Sequence, residues 1–212
     1  MRIDEFLASS GGRERDTLRP LIQEIASIDG GETHPHDGLS GELQQFASQM
    51  MGDVADSESI FCLTLLATAG DDPNWNILEK SERHRAIPLG SEQMVEQSPM
   101  ISQLIKQFGI DVATVLKPNP DLLVDFEQTT FNVFHVPNAR GSPFVPAQEQ
   151  FVVSYGIQSV LGFGGMLPTG ELFAVILFSK SDIPRETAEL FRTLALSVKI
   201  SMLPFVSRPL FA

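Results

Sequence analysis

The chain has 212 residues, of which 42% are hydrophobic and 20% are charged, a composition that is ordinary for a soluble globular protein. Its formal net charge of -12 at pH 7 repels phosphate backbones and anionic lipid surfaces, so direct nucleic-acid binding is not expected. No apolar run approaches the roughly 20 residues that span a bilayer, and the first residues lack the apolar core of a signal peptide. We therefore expect a cytoplasmic protein without membrane insertion.

The first 38 residues are predicted to form an N-terminal helical extension and linker. Residues 17–28 have a weak helical pattern, and residues 29–38 are polar and rich in glycine, as in a loop. This loop contains several potential metal ligands, but their spacing matches no closed structural motif, and we predict no metal site. The globular domain is predicted to cover residues 39–204, and residues 205–212 form an apolar C-terminal tail.

The single cysteine, Cys62, lies in the apolar run at residues 60–67, which predicts a strand. One cysteine excludes an internal disulfide and a zinc site built from several thiolates. Within such a strand, the thiol is expected to be buried and unreactive. After a polar turn, residues 75–78 are predicted to return as a second short strand, and residues 80–90 are basic and irregular.

The next predicted elements are a helix, a strand and a short helix. Pro99 opens the helix, its apolar residues recur at spacings of three and four, and Gly109 ends it. Residues 131–136 include two phenylalanines and two valines, residue types with high β-propensity, and they predict a strand. Residues 146–155 are predicted to form a short helix before Gly156.

The last third of the chain carries the clearest pattern. Residues 159–167 and 172–178 predict two antiparallel strands joined by the turn Pro-Thr-Gly-Glu. The second strand has no polar residue, so both of its faces should be covered. Asp182 and Pro184 then start an amphipathic helix that runs toward Pro204.

This order of elements resembles the GAF domain, a sensory module related in architecture to PAS domains. The most specific part is residues 155–178, with a small turn, a strand, a glycine-acid hairpin at Gly170 and Glu171, and an apolar strand before the last helix. The resemblance covers roughly residues 40–204. It implies an α+β fold, with a central antiparallel sheet of five to six strands. The terminal helices should pack on one face, and helices and loops should roof a pocket on the other.

The resemblance also implies a function. We expect a small-molecule-binding sensory or regulatory domain of a cytosolic signalling protein, such as a two-component system, which passes ligand occupancy through its terminal helices to an output domain or protein. A homodimer is expected, the cofactor is unknown, and no catalytic role is expected because the chain lacks the cysteine pair of the few enzymatic members. A ligand-free dimerisation or interaction module and a haem-binding gas or redox sensor remain open as alternatives, with a small enzyme as a third.

Candidate ligand-binding residues cluster around the predicted strand at 131–136 and the segment that follows it. His135 ends that strand, and a neutral imidazole there could hydrogen-bond a ligand or ligate haem iron. Aromatic faces and hydroxyl groups nearby suit an apolar pocket with a few polar groups. The predicted set is Phe134, His135, Ser142, Phe144, Tyr155 and Phe163.

Two further features leave alternatives open. Arg83, His84 and Arg85, with Trp75 nearby in sequence, form a local positive cluster that could meet an anion, although a solvated loop also explains it. The glycines at 162–165 precede a strand and not a helix, so they do not form a phosphate-binding loop. They instead predict a bulge or a close approach of another group to the backbone.

Overall fold

The computed structural model describes residues 24–51, 60–81, 84–118 and 132–206. The strands are β1 (Ile25–Pro35), β2 (Phe61–Gly70), β3 (Ala86–Leu89), β4 (Val133–Val136), β5 (Ser159–Met166) and β6 (Leu172–Ser179). The helices are α1 (Gly41–Met51), α2 (Glu92–Glu96), α3 (Pro99–Phe108), α4 (Val112–Leu116), α5 (Arg185–Glu189) and α6 (Phe191–Met202), with a π-helix at Gln148–Val153. Among the described residues, no helix is long and apolar enough to cross a membrane.

The six strands form one antiparallel sheet in the order β3-β2-β1-β6-β5-β4. The predicted α+β fold with five to six antiparallel strands is therefore confirmed. The C-terminal hairpin is also confirmed, since Leu161 pairs with Leu177 in β5 and β6. Strand β6 lies between β1 and β5, which explains why nearly all of its side chains are buried.

Strand β1 differs from the sequence prediction. Residues 25–35, predicted as the end of a helix and a polar loop, form a strand between β2 and β6. Hydrogen bonds from both neighbours stabilise this strand, although glycine and acidic residues have low β-propensity. The sheet thus includes residues that the sequence assigned to the extension. Residues 1–23 and 207–212, the rest of the predicted extension and most of the predicted tail, lie outside the described residues.

Two shorter predictions also differ. Residues 75–78, predicted as a strand, belong to the 3-10 turns Pro73–Asn76 and Leu78–Lys80. The carboxylate of Asp72 starts the first turn, because its Oδ1 accepts a hydrogen bond from Asn74 N at 2.9 Å. The strand that follows β2 in the chain and pairs with it is instead β3, which comes from the stretch predicted to be irregular.

The two faces of the sheet are covered by different helices. The front face carries the side chains of Phe134, Ala174, Ile176 and Phe178, and it is covered by α2, α3, α4 and the π-helix. The back face carries Val133, Leu161, Phe163 and Leu177, and α5 and α6 pack on it.

Helix α1 also packs on the back face. Its Ala47 packs in one cluster with Cys62 and Ala86, whereas Leu63, the neighbour of Cys62, packs with the front cluster. Successive residues of a strand point to opposite faces, so Cys62 points to the back. The predicted packing of the first and last helices on one face is confirmed. The Cys62 thiol is buried, as predicted, and burial raises its pKa to about 12.

The glycines of β5 allow close packing on the front face. A Cβ atom at Gly162 would lie 2.7 Å from Ile176 Cδ1, and one at Gly164 would lie 2.9 Å from Phe108 Cε2. The predicted close approach to the backbone is therefore confirmed, and the approaching groups belong to the protein itself. Phe108 of α3 fills the space in front of β5.

Candidate functional site

The front face of β1, one of the two central strands, carries small or polar side chains. In β1 these are Asp29 and Thr33, with Gly31 between them, and in β6 the partner of Gly31 is Ala174. Helix α3 packs against β4 and β5, and helix α2 packs against β3, so both helices cover the flanks of the sheet. A strip of small residues therefore lies between the two helices, over the centre of the sheet.

Asp29 is the charged group of this strip. Its side chain is 19% exposed, and its Oδ1 accepts a hydrogen bond from Thr68 Oγ1 at 2.7 Å. Its Oδ2 lies 3.7 Å from His84 Nε2, which is too far for a hydrogen bond. Burial raises the pKa of the Asp29 carboxyl, although the Thr68 hydrogen bond and the charge of His84 both act to lower it. A carboxylate in this position keeps acceptor capacity for a further donor.

Four aromatic residues, which we call the aromatic cluster, pack together on the same face of the sheet as Asp29. They are Trp75, Phe151, Tyr155 and Phe178. The ring centroid of Trp75 lies 4.3 Å from that of Tyr155 and 5.4 Å from that of Phe151. The rings of Phe151 and Phe178 meet edge-to-face, with their centroids 4.9 Å apart. Phe178 pairs with Ser27, two residues before Asp29 in β1, which is a distance of roughly 7 Å along a strand.

A hydrogen bond joins the aromatic cluster to the connection between β2 and β3. The Tyr155 hydroxyl donates to Asp72 Oδ2 at 3.0 Å. The hydrogen bond from the Asn74 backbone lowers the pKa of Asp72 most strongly, and the bond from Tyr155 lowers it further. Tyr155 follows the π-helix, and the segment before it begins at Ala147, a non-glycine residue with a positive φ of 54°. Such backbone conformations occur preferentially at functional sites.

Four of the six predicted site residues lie on the front side of the sheet. Phe134 is fully buried in the front cluster, and Phe144 and Tyr155 pack against that cluster. The Ser142 hydroxyl accepts a hydrogen bond from Phe144 N at 3.2 Å, so it stabilises the loop after β4. Of these residues, Tyr155 belongs to the aromatic cluster. A ligand contact by any of the four stays a prediction.

The other two predicted residues lie on the back face. The imidazole Nε2 of His135 lies 2.7 Å from the carbonyl oxygen of Ile183, and burial lowers the pKa of His135 while the Ile183 contact raises it. Phe163 packs against Phe191 of α6 with ring centroids 5.8 Å apart. The sheet thus separates both side chains from Asp29.

Sequence reasoning missed Asp29 and Thr68 and noticed His84 and Trp75 only in part. The missing signal was the strand character of β1, because Asp29 becomes a site residue only when it lies in the sheet. Of the predicted positive cluster, Arg83 lies outside the described residues. Arg85 pairs with Glu42 of α1, with Nη1 and Oε1 2.6 Å apart, and only His84 reaches Asp29.

No family model matches the sequence, and a comparison with curated proteins gives no match. Among solved structures, the chain is similar to the chromophore-binding domain of the Stigmatella aurantiaca bacteriophytochrome, with 8% identity, a TM-score of 0.35, and coverage of 94% of this chain and 56% of that one. It thus spans little more than half of that chain. It is also similar to the GAF domain from an Acinetobacter phosphoenolpyruvate-protein phosphotransferase, with 16% identity, a TM-score of 0.33, and coverage of 92% and 96%.

Proposed function

We propose that the protein is a small-molecule-binding sensory domain of a signalling protein, and that its ligand lies on the front face beside Asp29 and the aromatic cluster. One observation carries this proposal: a partly exposed carboxylate lies on a central strand, on the same face as the aromatic cluster and roughly 7 Å along the strand from its Phe178. Binding sites typically combine apolar walls with a few placed polar groups. A carboxylate that served only stability would more commonly lie at the surface or be fully paired.

The occupied site would act on the terminal helices through β1. Asp29 faces the ligand side, whereas its neighbour Ile28 packs with the back cluster under α5 and α6. A ligand that fits one arrangement of the sheet and its helices better than another shifts the population toward that arrangement. We infer a binding role without catalysis, in which the helices pass this shift to an output domain or protein in the cytosol.

Blocking the site with a bulky side chain tests the proposal. Trp75 is the single tryptophan of the chain, so its fluorescence reports directly on ligands at the aromatic cluster. We expect pooled small metabolites to change this fluorescence in the wild type and in Ala67→Phe, because Ala67 is exposed and faces the back. In Thr68→Phe the response should fall at least tenfold, since the new ring covers Asp29. Equal responses in the two folded variants would contradict the proposal.

A specific observation favours a second candidate function, the dimerisation module. Leu196, Ile200 and Leu203 follow each other along one side of α6 and the turn after it, and all three are exposed, with Ile200 at 58%. Contiguous apolar side chains of this kind often mark an interface. We expect a mass of two chains by light scattering, reduced to one chain by Ile200→Glu but not by Gln45→Glu, a change at an exposed position of α1. A monomeric wild type at micromolar concentration would contradict this candidate.

The haem-sensor alternative has weaker support. Its candidate ligand, His135, has its Nε2 committed to the Ile183 carbonyl on the back face. The absorbance spectrum of protein purified from its own host tests this alternative, because bound haem gives a Soret band.

A further inference from the structure

Resting on the proposed function, we propose that the ligand is a cation with an apolar part, such as an aromatic or alkyl amine. Its ammonium group would pair with the carboxylate of Asp29, and its apolar part would lie against the aromatic cluster. The proposal thus names the charge of the ligand and the residue that selects it.

The first argument is the unused capacity of the Asp29 carboxylate. Thr68 supplies one hydrogen bond, whereas an ionised carboxylate can accept about four. Among the described residues, His84 is the one basic side chain within 4 Å, and it lies beyond hydrogen-bond distance. The His84 side chain is 45% exposed, and His84 lies before the start of β3. The ring can therefore move away from Asp29 when a ligand binds. An ammonium group brings up to three donors to the same oxygen atoms.

The second argument is the electrostatic character of the neighbouring groups. The faces of Trp, Tyr and Phe rings attract cations, and the four rings of the aromatic cluster lie on the same face as Asp29. The nearest strand position of the cluster, Phe178, pairs with Ser27, roughly 7 Å along β1 from Asp29. Asp72 adds a second carboxylate, held beside the cluster by Tyr155. Aromatic faces recognise organic ammonium groups, and a carboxylate nearby adds a charge-assisted hydrogen-bond acceptor.

The third argument is that the surroundings disfavour an anion. The net charge of -12 produces a field that attracts cations and repels phosphates and carboxylates. Lys180, which follows β6, is engaged by Asp71, and Arg85, which precedes β3, is engaged by Glu42. An anionic ligand would therefore have to displace these acidic partners. A nucleotide or an organic acid fits this site less well than an amine.

Burial of Asp29 adds a consistent energetic detail. Its pKa is raised because the ionised carboxylate has lost solvent and has gained too few partners. A cationic ligand supplies the missing partner, so part of its binding free energy comes from relieving this cost.

Three probes of matched shape test the charge preference: 2-phenylethylamine, 2-phenylethanol and 3-phenylpropionate, each titrated at pH 7.5 and followed by Trp75 fluorescence and ligand-observed NMR. We expect the amine to bind at least tenfold more tightly than the alcohol, and the carboxylate to bind most weakly. In Asp29→Asn, which keeps the shape of the side chain, the amine and the alcohol should bind within about twofold of each other. The control Asp37→Asn should keep the wild-type preference, because Asp37 is an exposed carboxylate in the turn His36–Gly38 that follows β1.

The outcomes separate this proposal from the one on which it rests. If the alcohol or the carboxylate binds as tightly as the amine, and Thr68→Phe abolishes that binding, the cation proposal is wrong while the binding site stands. Retention of the amine preference in folded Asp29→Asn would also overturn the cation proposal. If the amine does not bind to the wild type at millimolar concentration while pooled metabolites still change Trp75 fluorescence in a way that Thr68→Phe abolishes, the cation proposal is wrong and the proposed function stands.

Discussion

Gly164→Ala is expected to destabilise the protein by about 3 kcal/mol, at the upper end of the cost of overpacking a core. The added Cβ atom would lie 2.1 Å from the carbonyl oxygen of Phe173 and 2.9 Å from the Cα atom of Ala174, both in the neighbouring strand β6. Backbone atoms of a paired strand cannot move aside as the end of a flexible side chain can. The ring of Phe108 in α3, also 2.9 Å away, would have to shift as well. The free energy of unfolding, measured in urea, gives the loss.

Gly41→Ala is the matched control for this substitution. Gly41 begins α1, and a Cβ atom there would meet nothing within 4 Å. Because alanine favours a helix over glycine by up to about 1 kcal/mol, this variant should be as stable as the wild type or more stable. If Gly164→Ala loses less than about 0.5 kcal/mol, the packing of α3 on β5 is looser than described.

The elements that the sequence predicts correctly are those with strong local signals. Strand β6 is continuously apolar, and helix α3 starts with proline and ends at Gly109, which has a φ of 74°. In both cases the residues that define the element lie within the element. The local sequence pattern is then sufficient to predict the element.

Strand β1 could not be predicted in this way. Its sequence contains two adjacent glycines, two carboxylates and a proline, and it becomes a strand because β2 and β6 pair with it over most of its length. These partners are distant in sequence. The candidate site was missed for the same reason, since Asp29 and Thr68 meet only after β1 and β2 have paired.

The predicted site residues show a different limit. Phe134 and His135 were both assigned to one pocket, yet neighbouring residues of a strand point to opposite faces. The structure accordingly places Phe134 in the front cluster and turns His135 toward Ile183 on the back. Strand alternation could have separated these two residues, but it could not have said which face held the site. That choice depends on which helices cover each face.

The other large effect concerns Glu32, a second carboxylate of β1. It lies on the back face, because it is four residues from Ile28, and it is 5% exposed. Burial, with a smaller contribution from the negative charge of Glu171, raises its pKa from 4.5 to about 7. The Nε2 atom of His34 lies 3.6 Å from Glu32 Oε2, but burial lowers the pKa of His34, so near pH 7 this ring does not provide a compensating positive charge.

The folded protein holds the proton of Glu32 more tightly than the unfolded chain does. The free energy of unfolding should therefore fall as the pH rises. Below pH 4.5 Glu32 is protonated in both the folded and the unfolded state, so its ionisation does not change the free energy of unfolding. Between pH 4.5 and about 7 the unfolded state releases the proton first, and above pH 7 the ionised group costs the folded state roughly 3 kcal/mol. Glu32→Gln removes this ionisation while keeping the size of the side chain.

Glu32→Gln is therefore expected to be more stable than the wild type by about 2–3 kcal/mol at pH 8 and to differ from it by less than about 1 kcal/mol at pH 5. Urea unfolding of both proteins at the two pH values measures this, and the other titrating groups cancel in the difference. Glu149→Gln, at an exposed position of the π-helix, should show no such pH dependence. If the advantage of Glu32→Gln does not grow between pH 5 and pH 8, Glu32 has a charged partner in solution that keeps it ionised. A real pH dependence would show that β1 carries a buried cost at Glu32, which the pairing of β1 with its two neighbouring strands has to offset.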